Sequence, residues 1–176
     1  LSLSLSLSLS LSLSLSPAFI IALSSPQANH KLLLDAGAVE VVVAAMQAHP
    51  NNSDVQGNGC AALVLFAVSL FDSCLLPATC LIAHATQGGV AIHDKENHAV
   101  KAGACQVIVA AMKAHPDLVT LQEHACGALL CLAAHDGAKA ALASADGTAV
   151  VEGVMRAHPT SEHLQEWGAQ LLASIA

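Results

Sequence analysis

One ten-residue stretch is written three times in this chain, and it decides the fold. VVVAAMQAHP at residues 41–50 returns as VIVAAMKAHP at 107–116 and as VVEGVMRAHP at 150–159. Apolar residues recur within it at i, i+1, i+4 and i+5, a spacing that one face of a helix requires and a strand does not. Recurrence on this scale is typical of stacked helical repeats, in which each unit buries its apolar face against its neighbours.

The residues on either side predict where the helices stop and start. Proline disfavours α geometry at the residue before it, so each helix should end at the His-Pro pair. The residues after the prolines have good N-cap side chains and predict the start of a long helix: Asn51, Asp117 and Thr160. Upstream, Gly37 and Gly103 predict left-handed turns between a short first helix and the quoted second helix.

Composition excludes several classes of function. The chain has 176 residues, a net charge of −7 and only six Lys and Arg, which argues against nucleic acid because phosphate binding needs clustered cations. The six cysteines have no paired spacing, so we expect free thiols in predicted helices and a cytoplasmic, reducing location.

With these motifs the chain resembles the armadillo-repeat family. Three features carry the resemblance. They are the turns Ala36-Gly37-Ala38 and Ala102-Gly103-Ala104, the Val-Val-x-x-Met pattern of the second helix, and Val or Leu before Gln on the third helix. It looks closest to the armadillo arrays of algal and protist proteins and to the armadillo segment of leucine-rich repeat kinases. The fold it implies is all-α, an armadillo-type right-handed α-solenoid (ARM/HEAT-like) of about three repeats, with a low-complexity N-terminal tail.

The expected organisation follows the register of the repeats. We expect a disordered tail at 1–26 that contains an eightfold Leu-Ser repeat, repeat 1 at 27–67, an insertion or loop at 68–92, repeat 2 at 93–135 and repeat 3 at 136–176. The chain opens with Leu and holds barely enough repeats for a stable stack. It is therefore expected to be a fragment of a larger repeat or signalling protein.

The function implied by the resemblance is that of a non-enzymatic scaffold that binds other proteins along its third helices. Predicted surface residues are Gln56, Asn58, Gln122, Glu123, Gln165 and Glu166. Armadillo proteins that grip peptide backbones repeat a Trp and an Asn on this helix. Here the Trp slot holds Ala61, Gly127 and Gln170, and the Asn slot holds Leu65, Cys131 and Ser174, which argues against that way of gripping basic peptides.

Two other classes of function stay open at this stage. A membrane-associated protein would use the apolar stretches 1–23 and 61–85, although Asp72 and Pro77 make a spanning helix costly. A metal-dependent enzyme would use His and Cys residues, with a ligand set drawn from Cys74, Cys80, His84 and His93. We assign no catalytic, cofactor or metal residue and expect no small-molecule substrate. His49, His115 and His158 share one repeat position and are interpreted as turn residues.

Overall fold

The protein is described by a computed structural model over residues 36–68, 98–133 and 135–175. All regular structure in these ranges is α-helical, which confirms the predicted all-α class and the repeating helix pattern. The helices are α1 (Ala38–Ala48), α2 (Ser53–Val68), α3 (His98–Lys101), α4 (Ala104–Ala114), α5 (Val119–Leu132), α6 (Asp136–Ser144), α7 (Gly147–Ala157) and α8 (Glu162–Ile175). The tail at 1–26, most of the predicted first helix of repeat 1 and most of the insertion lie outside the described residues.

The second helices α1, α4 and α7 each have 11 residues and each follow a residue in the left-handed conformation. Gly37 (φ 76°) and Gly103 (φ 82°) take this role in repeats 1 and 2, as predicted. Asp146 (φ 58°) takes it in repeat 3, because Asp tolerates the left-handed region better than most residues with a side chain. Lys113 of repeat 2 holds this turn, since its Nζ donates to Ala145 O at 3.1 Å and lies 3.7 Å from Asp146 Oδ2.

The His-Pro pairs end the second helices as predicted. His49, His115 and His158 have nearly the same backbone angles (φ −128°, −129° and −124°; ψ 55°, 59° and 62°), well outside the α region.

The predicted N-caps of the third helices are wrong by one residue, since the capping position falls after Asn51, Asp117 and Thr160. Asn52 Oδ1 accepts from the backbone N–H groups of Asp54 and Val55, each at 3.1 Å, and Ser161 Oγ accepts from Leu164 N at 3.3 Å. In repeat 2 the capping position holds Leu118, which forms no side-chain cap and is 42% exposed. The prediction failed because two consecutive polar residues suit the cap in repeats 1 and 3, and sequence preference does not choose between them.

The third helices form the centre of the packing. Helix α5 lies between α2 and α8 and contacts both along its length, while each third helix also packs on the second helix of its own repeat. The buried apolar side chains form one cluster, built mainly from the repeated positions of the second and third helices, with Ala99, Ala138 and Leu142 from first helices. The largest of them have less than 2% exposure: Met46, Leu63, Ile108, Met112, Leu129, Leu132, Leu142, Leu164 and Leu171.

Two glycine-to-alanine substitutions should change stability in opposite directions. Gly103→Ala forces a side chain into the left-handed region and should lower the free energy of unfolding by about 1–2 kcal/mol. Gly153→Ala lies inside α7, where an added Cβ meets nothing within 4 Å, and should raise it by about 0.5–1 kcal/mol. Urea denaturation followed by circular dichroism measures both, and a change of the same sign would contradict the assigned backbone geometry.

Candidate functional site

The side-by-side third helices α2, α5 and α8 form the surface on which the predicted binding residues lie. The structure separates those six residues into two groups. Glu123 is part-buried and Glu166 is exposed, while Asn58 is part-buried and makes an interaction of its own. The three glutamines point into the repeat.

The prediction that Gln56 and Gln122 lie on an exposed surface is wrong, since they are 1% and 0% exposed. Gln56 Nε2 donates to the carbonyl oxygens of Met46 and His49, both at 2.8 Å. Met46 O lies in the last turn of α1, where Pro50, four residues on, has no N–H to donate. His49 O follows the helix and also accepts the backbone N–H of Asn52 at 3.1 Å. The side chain of Gln56 therefore closes the His-Pro turn from inside.

The other two glutamines repeat this arrangement, which we call the glutamine lock. Gln122 Nε2 donates to Met112 O at 3.0 Å and His115 O at 2.8 Å. Gln165, which is part-buried, donates to Met155 O at 2.9 Å and His158 O at 3.2 Å. A signal for this was present in the sequence. The lock position is Gln in every repeat, whereas the exposed slot of Gln47, Lys113 and Arg156 varies.

Replacement of Gln122 by Leu should destabilise the protein, because buried Met112 O loses its donor, while His115 O keeps the backbone N–H of Leu118. An unsatisfied buried group costs about 1–3 kcal/mol, so we expect a loss of about 1–3 kcal/mol in the free energy of unfolding. Gln106→Leu on the exposed face of α4 is the matched control and should change it by less than about 0.5 kcal/mol. Equal losses in urea denaturation would show that the lock contributes nothing.

The histidines of the recurring stretch link neighbouring repeats. His115 Nε2 lies 3.0 Å from Pro50 O, and His158 Nε2 lies 2.7 Å from Pro116 O. A carbonyl oxygen only accepts, so both rings carry a proton on Nε2. From the sequence, these histidines are interpreted only as turn residues. The structure adds a hydrogen bond from each ring to the turn of the repeat before it.

A polar cluster joins α5 to α8. Ser161 Oγ donates to Glu123 Oε1 at 2.8 Å, and His163 Nδ1 lies 3.8 Å from the same oxygen. The His163 ring stacks on buried Trp167 with centroids 5.0 Å apart and an angle of 19° between the planes. The cluster links repeat 2 to repeat 3, and the Ser161 hydroxyl in it also caps α8 by accepting from Leu164 N.

Beside this cluster stands His124, whose pKa is lowered by burial, with the charge of Glu123 partly opposing the shift. Its Nδ1 has no hydrogen-bond partner, and neither has Gln170 Oε1. Gln170 uses its amide nitrogen to donate to Glu166 Oε1 at 3.3 Å. Near neutral pH the neutral form of His124 is therefore favoured, so it adds little positive charge to the surface of α5.

Charge divides sharply between the helices. Helices α2, α5 and α8 contain no Lys or Arg, and their acidic residues are Asp54, Glu123, Glu162 and Glu166. In the described part of the chain the cations lie on the other helices, as Lys101 on α3, Lys113 on α4, Lys139 on α6 and Arg156 on α7. The surface of the third helices is therefore acidic from repeat 1 to repeat 3.

The cysteines of the described helices are free and buried, as predicted. Burial raises the pKa of Cys60 and Cys126 to about 12 and that of Cys105 and Cys131 to about 11. A thiolate is the form that attacks substrates or binds metal, so these side chains act as small apolar groups at neutral pH.

Stability should fall at alkaline pH because of these thiols. Cys60 and Cys126 have a folded pKa above the ordinary value of 9.0, so the unfolded chain loses the protons first. Their contribution is complete below pH 9 and is lost as pH rises towards 12. Between pH 8 and about pH 10, the free energy of unfolding should drop by about 1.4 kcal/mol per thiol.

Urea denaturation at several pH values measures this loss. In the double variant Cys60→Ala and Cys126→Ala, the free energy of unfolding should fall less between pH 8 and about pH 10, by the amount that these two thiols contribute. An unchanged slope in the variant would contradict the assigned burial.

The residues predicted for the two alternative functions, a membrane-associated protein and a metal-dependent enzyme, lie largely outside the described residues. Cys74, Cys80, His84 and His93 lie there, as do residues 1–23 and most of 61–85. Within the described ranges, no three His, Cys, Asp or Glu side chains come together as metal ligands would. No helix in those ranges combines the length and the apolar composition needed to cross a membrane.

Compared with known proteins, the chain matches no family model, no curated sequence and no solved structure. Its function has to be inferred from the packing and the charge of the third helices.

Proposed function

We propose that this chain is an armadillo-type α-solenoid scaffold without enzymatic activity, and that it binds other proteins along α2, α5 and α8. The observation that carries the proposal is the row of third helices, packed side by side with a single sign of charge. A stack of this kind offers an extended surface on which a partner segment contacts several repeats at once.

The charge of that surface indicates the chemistry of the partner. Asp54, Glu123, Glu162 and Glu166 are not matched by any Lys or Arg on the same helices. Complementary charge favours a partner segment that carries Lys or Arg, and it acts mainly on the association rate and on specificity. The missing Trp and Asn ladders remove the backbone grip known in the family, so recognition here rests on side-chain charge.

A cytoplasmic location accompanies this proposal. The described cysteines stay free and are buried in the stack, which suits a reducing compartment.

Binding is tested with two labelled peptides of equal length, one rich in Lys and Arg and one rich in Asp and Glu. Fluorescence anisotropy should show that the basic peptide binds and that its affinity falls as salt rises from about 50 mM to about 300 mM. The acidic peptide should not bind. The double variant Glu123→Gln and Glu166→Gln should weaken binding of the basic peptide about threefold to tenfold, at about 0.3–0.7 kcal/mol per charge. Gln at position 123 can still accept the hydrogen bond from Ser161, which limits structural damage.

The matched control removes two charges elsewhere, with Asp146→Asn and Glu152→Gln. Asn tolerates the left-handed backbone at 146, and both residues lie outside the third helices. Binding by the control should stay within about twofold of the starting chain. If both double variants lose affinity equally, net charge and not the third-helix surface is responsible, and the proposed site is wrong.

A further inference from the structure

Comparison of the repeats in register shows that the end of repeat 3 differs from the matching face of repeats 1 and 2. We use "outer face" for four positions, two on the second helix and two on the third. In repeat 1 they hold Val39, Val43, Cys60 and Val64. In repeat 2 they hold Cys105, Val109, Cys126 and Leu130, and in repeat 3 Thr148, Glu152, Ala169 and Ala173.

Burial identifies this face as the one that meets the next repeat. Val39, Val43 and Cys60 are 2%, 3% and 0% exposed, and the residues of repeat 2 are at most 6% exposed. Cys60 on α2 is close enough to Cys126 on α5 for the charge of Cys126 to add to the rise in the pKa of Cys60 that burial causes. The four residues of repeat 3 are all exposed.

The chemistry of repeat 3 matches its exposure. A second repeat docked on this face would remove the carboxylate of Glu152 and the hydroxyl of Thr148 from water. The exposed ion pair of Glu152 with Arg156 is 4.0 Å long, and burying a charge or a hydroxyl is costly. Ala169 and Ala173 would leave gaps where Cys126 and Leu130 fill space in repeat 2.

Three apolar residues stay part-exposed at this end: Met155, Leu172 and Ile175. Met155 already packs within its own repeat, since its Sδ lies 2.6 Å from where a Cβ on Gly168 would stand. It is thus engaged with α8 and does not offer a free side chain to a further repeat.

We propose that the outer face of repeat 3 is a capping surface, whose side chains suit solvent and disfavour the stacking of another repeat on it. A polar outer face of this kind keeps stacked arrays soluble. The inference goes beyond the proposed function, because it depends on no partner.

The test adds one repeat to the full chain. A second copy of residues 92–133 is appended after Ala176, which continues the register of the helices. With the native outer face, the appended repeat should unfold in a separate transition at lower urea. The m-value of the main transition should then equal that of the chain without the extension.

A second variant replaces the outer-face residues of repeat 3 by those of repeat 2, with Thr148→Cys, Glu152→Val, Ala169→Cys and Ala173→Leu. With the same extension it should unfold in one transition whose m-value is about one third larger, because a stacked fourth repeat joins the cooperative unit. Thr160→Val with Glu162→Val is the control, which makes similar exchanges at exposed positions off the outer face and should keep two transitions.

A single, enlarged transition in the extended chain with its native outer face would overturn the proposal. So would two transitions in the extended chain with the reverted face, provided that the reverted chain without extension keeps its helical circular dichroism. If that reverted chain does not fold, the extended native chain alone decides the question.

Discussion

The glutamine lock is the interaction on which the rest of the structure depends. A helix that ends at a tight His-Pro turn leaves carbonyl groups without donors, and burying them would be costly. In each repeat one amide nitrogen donates to two carbonyls, ten and seven residues before it, and the nearer carbonyl also accepts a backbone N–H of the turn. These bonds tie the start of the third helix to the end of the second. The same connection recurs in all three repeats, whose third helices pack side by side.

Much of the architecture could be predicted from spacing alone, because helix periodicity and backbone restrictions act locally. The second helices, their glycine turns and their His-Pro ends needed no long-range information. The direction of the glutamines did not follow, since a polar residue on an amphipathic helix is ordinarily placed in solvent. Nor did the ring bonds of His115 and His158, which join residues far apart in sequence. Two of the six residues predicted for the surface, Gln56 and Gln122, are therefore buried instead.

The repeats divide their tasks between two kinds of surface. The face between repeats is mainly apolar, with polar contacts from Glu123 to Ser161, from the rings of His115 and His158, and from Lys113 to the turn at Asp146. The face along the third helices is acidic and open. Because the cations lie on the other helices, the charge on this face is not neutralised within its own row. Stability and the proposed recognition thus depend on different residues. The glutamines were predicted as binding residues, but their hydrogen bonds stabilise the repeats.

The two sets of hydrogen bonds at the His-Pro turns differ in the length of chain that they close. The glutamine locks span 7 and 10 residues, so each turn can form before any repeats meet. The ring bonds close segments of 65 residues from Pro50 to His115 and 42 residues from Pro116 to His158. For a flexible chain the longer closure costs only about 0.4 kcal/mol more, since loop entropy grows with the logarithm of length. The repeats therefore tolerate extra sequence between them at little thermodynamic cost, and the short closure of the locks favours formation of the turns before the stack.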